Sequence, residues 1–153
     1  MDPSRPRELL AGLEQRARRR FGQHFLTDRG VVERIVRGAR VAPGERVIEI
    51  GPGLGILTQA LVAAGADLTA IELDRDLAEH VRTAFPTVRV IEADAARVDW
   101  GEVCGGQPVK IVANLPYNVG TTLTMQLLRK PALVRSITVM LHSGLVFFIR
   151  MAK

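Results

Sequence analysis

The sequence predicts an α/β fold on a mostly parallel sheet, and three observations carry that expectation. Strand-like and helix-like patterns alternate after residue 25. The strand-like segments are apolar runs rather than apolar–polar alternations, as strands covered on both faces read. Glycines and unusual polar residues gather where those runs end, which is where open parallel sheets hold their ligands.

Each element has its own signal. Val31, Val32, Ile35 and Val36 recur at helical spacing, with Thr27 or Asp28 as N-cap, and Val41-Ala42-Pro43-Gly44 ends that helix. Residues 46–50 form the first strand and run into glycines. Residues 54–64 read as a helix, with Leu57 and Leu61 one turn apart and Gly65 at C′. The second strand is expected over 68–73, and a helix over 76–84 with Leu77 and Val81 on one face. Strands over 88–91, 109–113 and 136–141 follow, with a helix over 121–129 before the last.

Composition bounds the class. A chain of 153 residues with 47% hydrophobic content supports one globular domain with a core. No apolar run reaches the ~20 residues that span a bilayer. The longest, 137–149, is broken by His142, Ser143 and Gly144. The N-terminus has no apolar secretory stretch, so a cytoplasmic location without membrane association is the default. Cys104 is alone, which excludes an intrachain disulfide and a cysteine zinc site. His24, His80 and His142 lack ligand spacing, and no bound metal is expected.

Residues 1–40 hold ten Arg and five acids, which accounts for the whole net charge of +5. Arg16, Arg18, Arg19 and Arg20 cluster there. Guanidinium forks suit phosphate, so this cluster is the candidate RNA contact. The bland alternative is a solvated tail.

The chemistry sits at the strand ends. Glu49-Ile50-Gly51-Pro52-Gly53-Leu54-Gly55 is a strand-to-helix turn in which Gly51 and Gly53 let backbone approach a ligand. Glu72 follows Gly51 by twenty-one residues, the distance at which an acid accepts from ribose hydroxyls. A dinucleotide fingerprint wants glycine where Ile56 stands, so the turn favours S-adenosylmethionine over NAD. Asp94 either accepts from the cofactor's adenine amino group or closes an Asx turn. Glu92 is expected to point away from its neighbours' face. Asp74 and Asp76 read as first-turn helix acids. Asn114-Leu115-Pro116-Tyr117 has its own logic. The Asn114 side chain and the Leu115 or Pro116 carbonyl can hold the two protons of an exocyclic amine and aim its lone pair at a methyl donor. Tyr117 stacks on the base. The effect is positioning and electrostatics, with no strong base needed.

These residues, with Phe21-Gly22-Gln23-His24-Phe25-Leu26, Ile71-Glu72-Leu73-Asp74, Glu92-Ala93-Asp94-Ala95 and Asn118, resemble in order and spacing the ribosomal RNA adenine N6-dimethyltransferases. The resemblance covers about residues 10–141 and is most like the bacterial small-subunit branch. The macrolide-resistance enzymes share the architecture but act on large-subunit rRNA, and Leu115 leans toward the small-subunit kind. The resemblance implies a Rossmann-like class I methyltransferase fold. It implies dimethylation of two adjacent adenines near the 3′ end of small-subunit rRNA, met free or in a pre-assembled small subunit; a folded chain is expected to be a monomer. Cofactor contacts are implied for His24, Leu26, Gly51, Gly53, Glu72, Asp94 and Asn114.

Two departures stand out. Gly120 and Thr122 replace the family's common Ser and Pro, which is expected to loosen the helix start. After Leu141 the resemblance ends. The expected organisation is therefore a basic segment over 1–26, a partial catalytic domain over 27–141, and a divergent apolar tail over 142–153. Further strands and a C-terminal helical domain would be missing. The fifth strand would then be an open edge, which the β-prone run over 145–149 either pairs with, leaves for a helix-docking face, or turns into an association surface. Slow methylation is expected of such a chain. The alternatives carried are a catalytically silent RNA-binding or ribosome-assembly fragment and an NAD-binding oxidoreductase fragment.

Overall fold

A computed structural model of the chain describes residues 8–15, 29–141 and 145–152. The first helix, α1, covers 8–15. It is followed by α2 (Arg29–Ala39), β1 (Arg46–Ile50), α3 (Ile56–Ala63), β2 (Asp67–Glu72), α4 (Arg75–Ala84) and β3 (Arg89–Glu92). Then come α5 (Trp100–Cys104), β4 (Val109–Leu115), α6 (Tyr117–Leu128), β5 (Val134–Leu141) and β6 (Val146–Arg150). The sheet order is β3-β2-β1-β4-β5-β6. The first five strands are parallel, and β6 runs antiparallel to β5.

The apolar strands are covered on both faces. On one, Val47, Leu68, Ala70, Val112 and Met140 pack against Val32, Ile35 and Ala39 of α2 and Leu57 and Leu61 of α3. On the other, Ile48, Ile50, Ile111 and Ile137 meet Trp100 and Val103 of α5 and Leu123 and Leu127 of α6. Each Val, Leu, Ile or Met among them, once buried, stabilises the fold by about 1.5–3 kcal/mol against exposure.

Four elements differ from the sequence expectation. Helix α3 starts at Ile56 rather than 54, because Gly55 adopts φ 89° and the turn runs on until it. Strand β4 continues through Asn114 and Leu115, held in register with Met140 and Leu141. Helix α6 starts at Tyr117, and its Gly120 is not a loosened position. A Cβ there would lie 2.5 Å from Leu141 Cδ2, so the glycine allows close approach to the end of β5. Helix α5 is a single short turn, too brief for periodicity to register. Its signals are Asp99, whose carboxylate accepts from Glu102 N–H at 3.1 Å, and the left-handed Gly105 after it.

The tail supplies a fifth difference. The edge of β5 is not open, because β6 pairs with it from Met140↔Val146 to Ser136↔Arg150. Ile149 and Met151 pack against the α5–α6 face, and Val146 against the other. Phe148 lies on Gly38 of α2, where a Cβ would overlap its ring. The proposed N-caps Thr27 and Asp28 lie outside the described residues.

Gly38 makes this contact testable. Replacing a helix-interior glycine with alanine ordinarily stabilises by roughly 0.8–1.0 kcal/mol. Here the overlap with Phe148 should reverse the sign and cost about 1–3 kcal/mol. Urea unfolding checks it. Gly38→Ala should destabilise the wild-type chain and recover in a Phe148→Ala background. Equal effects in both backgrounds would show that the ring does not rest on the helix.

Candidate active site at the carboxyl edge of the sheet

Strand order reverses between β1 and β4, which opens a crevice at the carboxyl edge. A cleft of about 490 Å³ lies there. Gly51 after β1, Glu72 ending β2, Asp94 after β3, and Leu115 and Pro116 at the end of β4 all line it. These are five of the residues singled out in the sequence, brought together from four strand ends. Asn114 is buried at 8% exposure beside the cleft, and Tyr117 stands outside it, 64% exposed. His24, Leu26, Arg16, Arg18, Arg19 and Arg20 lie outside the described residues.

The glycine turn explains why these groups meet. Gly51, Gly53 and Gly55 have φ of 70°, 56° and 89°, a left-handed region costly to other residues. Gly51 N–H donates to the Ile71 carbonyl at 2.9 Å. A Cβ on Gly51 would lie 3.2 Å from Leu115 Cδ2 and 3.7 Å from the Asn114 carbonyl, so the turn is laid directly on the end of β4.

Glu72 is buried and holds the turn. Its carboxylate accepts from Gly53 N–H at 3.2 Å and from Asp74 N–H at 3.0 Å. Gly53 is itself buried and does not line the cleft. Asp74 caps α4, accepting from Asp76 N–H at 2.9 Å and Leu77 N–H at 3.1 Å.

Asp94 makes the Asx turn, its Oδ1 accepting from Ala96 N–H at 2.9 Å, and it also lines the cleft. Glu92 corrects the expectation made from strand period. It is paired with Glu72 in a parallel ladder and so shares that residue's face, although it is exposed and outside the cleft lining. Pro116 is the N-cap of α6, and its carbonyl accepts from Gly120 N–H at 2.8 Å.

Two features escape sequence reading. Leu73, Asn118, Val119 and Thr122 complete the cleft wall. Leu73 and Val119 are apolar yet 53% and 48% exposed at its mouth. For Asn118, Val119 and Thr122 the signal is helical spacing, once α6 is started at Tyr117 rather than 121, whereas Leu73 simply follows the end of β2. The second feature is Glu49. It is wholly buried, and Thr58 Oγ1 donates to its Oε1 at 2.6 Å. Burial pushes its carboxyl up to about 8; the Thr58 bond opposes that shift and the nearby Glu72 adds to it.

A glycine turn, a buried acid closing the second strand and a polar end on the fourth define a Rossmann-like methyltransferase fold. Comparison with known proteins agrees. The family described as ribosomal RNA adenine dimethylase matches residues 14–147. The ribosomal RNA small subunit methyltransferase A of Marinobacter nauticus is 44% identical over 133 residues, 85% of this chain and 48% of its own. That of Bordetella petrii is 48% identical over 132 residues, 85% of this chain and 50% of its own. The crystal structure of the 23S rRNA methyltransferase ErmE superposes with a TM-score of 0.65 at 27% identity, over 74% of this chain and 46% of that one. A dimethyladenosine transferase from Plasmodium falciparum, at TM-score 0.62 and 24% identity over 74% of this chain and 42% of its own, shares the fold. The chain belongs to the ribosomal RNA adenine dimethylase family. It spans about half the length of the curated relatives it matches.

Glu49 generates a pH prediction. Its carboxyl titrates at about 8 when folded, against 4.5 ordinarily. A raised acid favours folding fully below the ordinary value and loses that contribution as pH rises through the folded value. Wild-type stability should therefore fall relative to Glu49→Gln between about pH 4.5 and about pH 8. Urea midpoints of the two proteins across that window measure it. A constant difference would mean that Glu49 does not titrate there.

Proposed function

We propose that this chain forms the cofactor-binding and catalytic part of an S-adenosylmethionine-dependent rRNA adenine N6-dimethyltransferase. Its substrate would be two adjacent adenines near the 3′ end of small-subunit rRNA, met in a pre-assembled small subunit. The observation that carries this reading is the single cleft gathering Gly51, Glu72, Asp94, Leu115 and Pro116 from four strand ends. Small-subunit enzymes at 44–48% identity favour that substrate over the large-subunit rRNA of the ErmE relative at 27%.

The residues fit a nucleoside-bearing cofactor. Gly51 leaves a backbone cradle that a Cβ would fill. Glu72 would accept from ribose hydroxyls, and Asp94 from an adenine amino group. The exposed Leu73 offers an apolar surface for the ring. An NAD reading lacks this support, since Ile56 stands in place of the third glycine and packs as part of α3 in the core. When bound, the cofactor supplies an electrophilic methyl group.

The chain's own work is to orient the acceptor. An exocyclic amine delocalises its lone pair into the ring. Asn114 Oδ1 and a main-chain carbonyl of the motif would take its two protons, favour pyramidal nitrogen and aim the lone pair. Of the two candidate carbonyls, α6 already uses that of Pro116 for Gly120 N–H, which favours Leu115. Tyr117, at the exposed start of α6, would stack on the flipped base. Such preorganised acceptors act mainly by position and electrostatics. His24 and Leu26 would add cofactor contacts, and Arg16, Arg18, Arg19 and Arg20 RNA contacts.

Calorimetry and methyl transfer test this reading together. Folded wild-type chain should bind S-adenosylmethionine and give no heat with NAD. Glu72→Ala should weaken cofactor binding by about 1–3 kcal/mol, the cost of stranding polar ligand groups. Transfer of labelled methyl to undermethylated small subunits should vanish in Asn114→Ala. Unchanged affinity in folded Glu72→Ala would remove that residue from the ribose role. Cofactor binding with no transfer, even by wild type, would leave a silent cofactor-binding fragment.

A further inference from the structure

We propose that the flank formed by α2 and β6 is a binding track for single-stranded RNA, separate from the adenine site. Arg34, Arg37, Arg40 and Arg150 would contact phosphates, and Phe148 would be a stacking platform. A groove of about 680 Å³ joins these five residues with Gly38 beneath the ring. None of them lines the cleft at the carboxyl edge.

The sequence builds this flank from two distant segments. Helix α2 buries Val32, Ile35 and Ala39 against the sheet, which leaves Arg34 and Arg37, three residues apart, on a neighbouring face. Arg40 follows at φ 50°, held by Lys110 Nζ, which donates to its carbonyl at 2.6 Å. Lys110 is itself paired with Glu45 at 2.6 Å, so the end of α2 is fixed to the sheet. Strand β6 brings Phe148 opposite Thr138 and Arg150 opposite Ser136. Strand period puts Phe148 and Arg150 on one face, the face where Phe148 meets α2.

Charge and shape then select the ligand. Among the described residues no carboxylate pairs with any of the four guanidinium groups. Guanidinium forks match phosphate oxygens better than they match a diffuse counterion cloud. Phe148 keeps 46% exposure while its ring is fixed from below by Gly38. A fixed, half-exposed ring among cations offers a base a face to stack on, and only an unpaired base can present its own. A duplex would use the arginines and waste the ring. An acidic peptide or an anionic membrane would do the same. The 11 residues of α2 give the track a length of roughly 16 Å.

The test is fluorescence anisotropy with a labelled single-stranded RNA of about ten nucleotides, within the site size of single-strand binders. The same sequence as a duplex, and unlabelled polyglutamate and anionic phosphatidylserine vesicles as competitors, are the other arms. The double variant Arg34→Gln/Arg37→Gln should weaken binding at least tenfold. It should also reduce the salt dependence of log K by about 1.4, as loss of two phosphate contacts predicts. Phe148→Leu should weaken binding about five- to hundredfold with the salt slope unchanged. Circular dichroism and thermal midpoints confirm that the variants fold, and the double arginine variant is a solvent-side change that keeps the test valid if Phe148→Leu does not. Wild-type affinity in folded double variant would overturn the proposal. So would equal affinity for duplex, or equal competition by polyglutamate or vesicles. S-adenosylmethionine titrations run beside these. Failure of wild type to bind the cofactor would sink the methyl-transfer reading and leave the track standing.

Discussion

The turn after β1 carries three glycines at positive φ, and the carboxylate of Glu72 accepts a hydrogen bond from the middle one. Much of the carboxyl edge depends on that contact. The same carboxylate accepts from Asp74 N–H, and Asp74 in turn caps α4, so one buried acid ties the turn to the next helix. On its other side the turn rests on Leu115 and the Asn114 carbonyl. A larger residue at Gly51 would be strained at φ 70°, and its Cβ would crowd the tip of Leu115 at 3.2 Å. The backbone geometry of this turn and the side chain of one acid thus help to set how the strand ends meet around the cleft.

Register places a second constraint on the same edge. Glu49 pairs with Ala70 and Val112 in parallel ladders, so it shares a face with Glu72 and Asn114, each two residues further along its strand. Three buried polar side chains therefore converge on one side of the sheet, where Thr138, paired with Val112, is a further buried polar residue in a mostly apolar layer. Two adjacent buried carboxylates, both ionised, would be costly. Glu49 avoids that cost by titrating at about 8, and Thr58 satisfies one of its oxygens at 2.6 Å. At neutral pH the protonated form dominates. The edge can then bury a second acid without adding a second charge beside the residue that organises the turn.

How much of this is legible in the chain follows from the range of the interactions. The parallel strands show because their signal is local, an apolar run ended by a glycine or polar residue. The cleft residues Gly51, Glu72, Asp94, Leu115 and Pro116 show for the same reason: each sits at a run's end. Asn114 and Leu115 are read as following the fourth strand, yet lie within it, because pairing with Met140 and Leu141 extends β4 beyond its apolar run. Helix α5 has no period to read in five residues. The neutral Glu49 depends on its burial in the assembled fold, and the α2–β6 flank joins residues more than a hundred positions apart. Neither leaves a mark in local sequence.

The tail shows where such reasoning stops. Residues 145–149 are β-prone in isolation, but three fates were open to them, and the sequence alone does not rank the three. Topology does. Leu141 N–H donates to the Leu145 carbonyl at 3.0 Å, so β5 and β6 join as a hairpin with residues 142–144 between them. A hairpin is a local pairing with little loop-closure entropy to overcome, unlike a parallel partner, which needs a crossover. The edge of β5 is therefore covered by the segment nearest to it in the chain. Once it pairs, strand period does the rest. Ile149 joins the core on one face, while Phe148 and Arg150 turn to the other and meet α2. The stretch over 145–150, which the family match enters as far as residue 147, thereby pairs with the edge of β5 and, by the same geometry, supplies part of the arginine-lined groove.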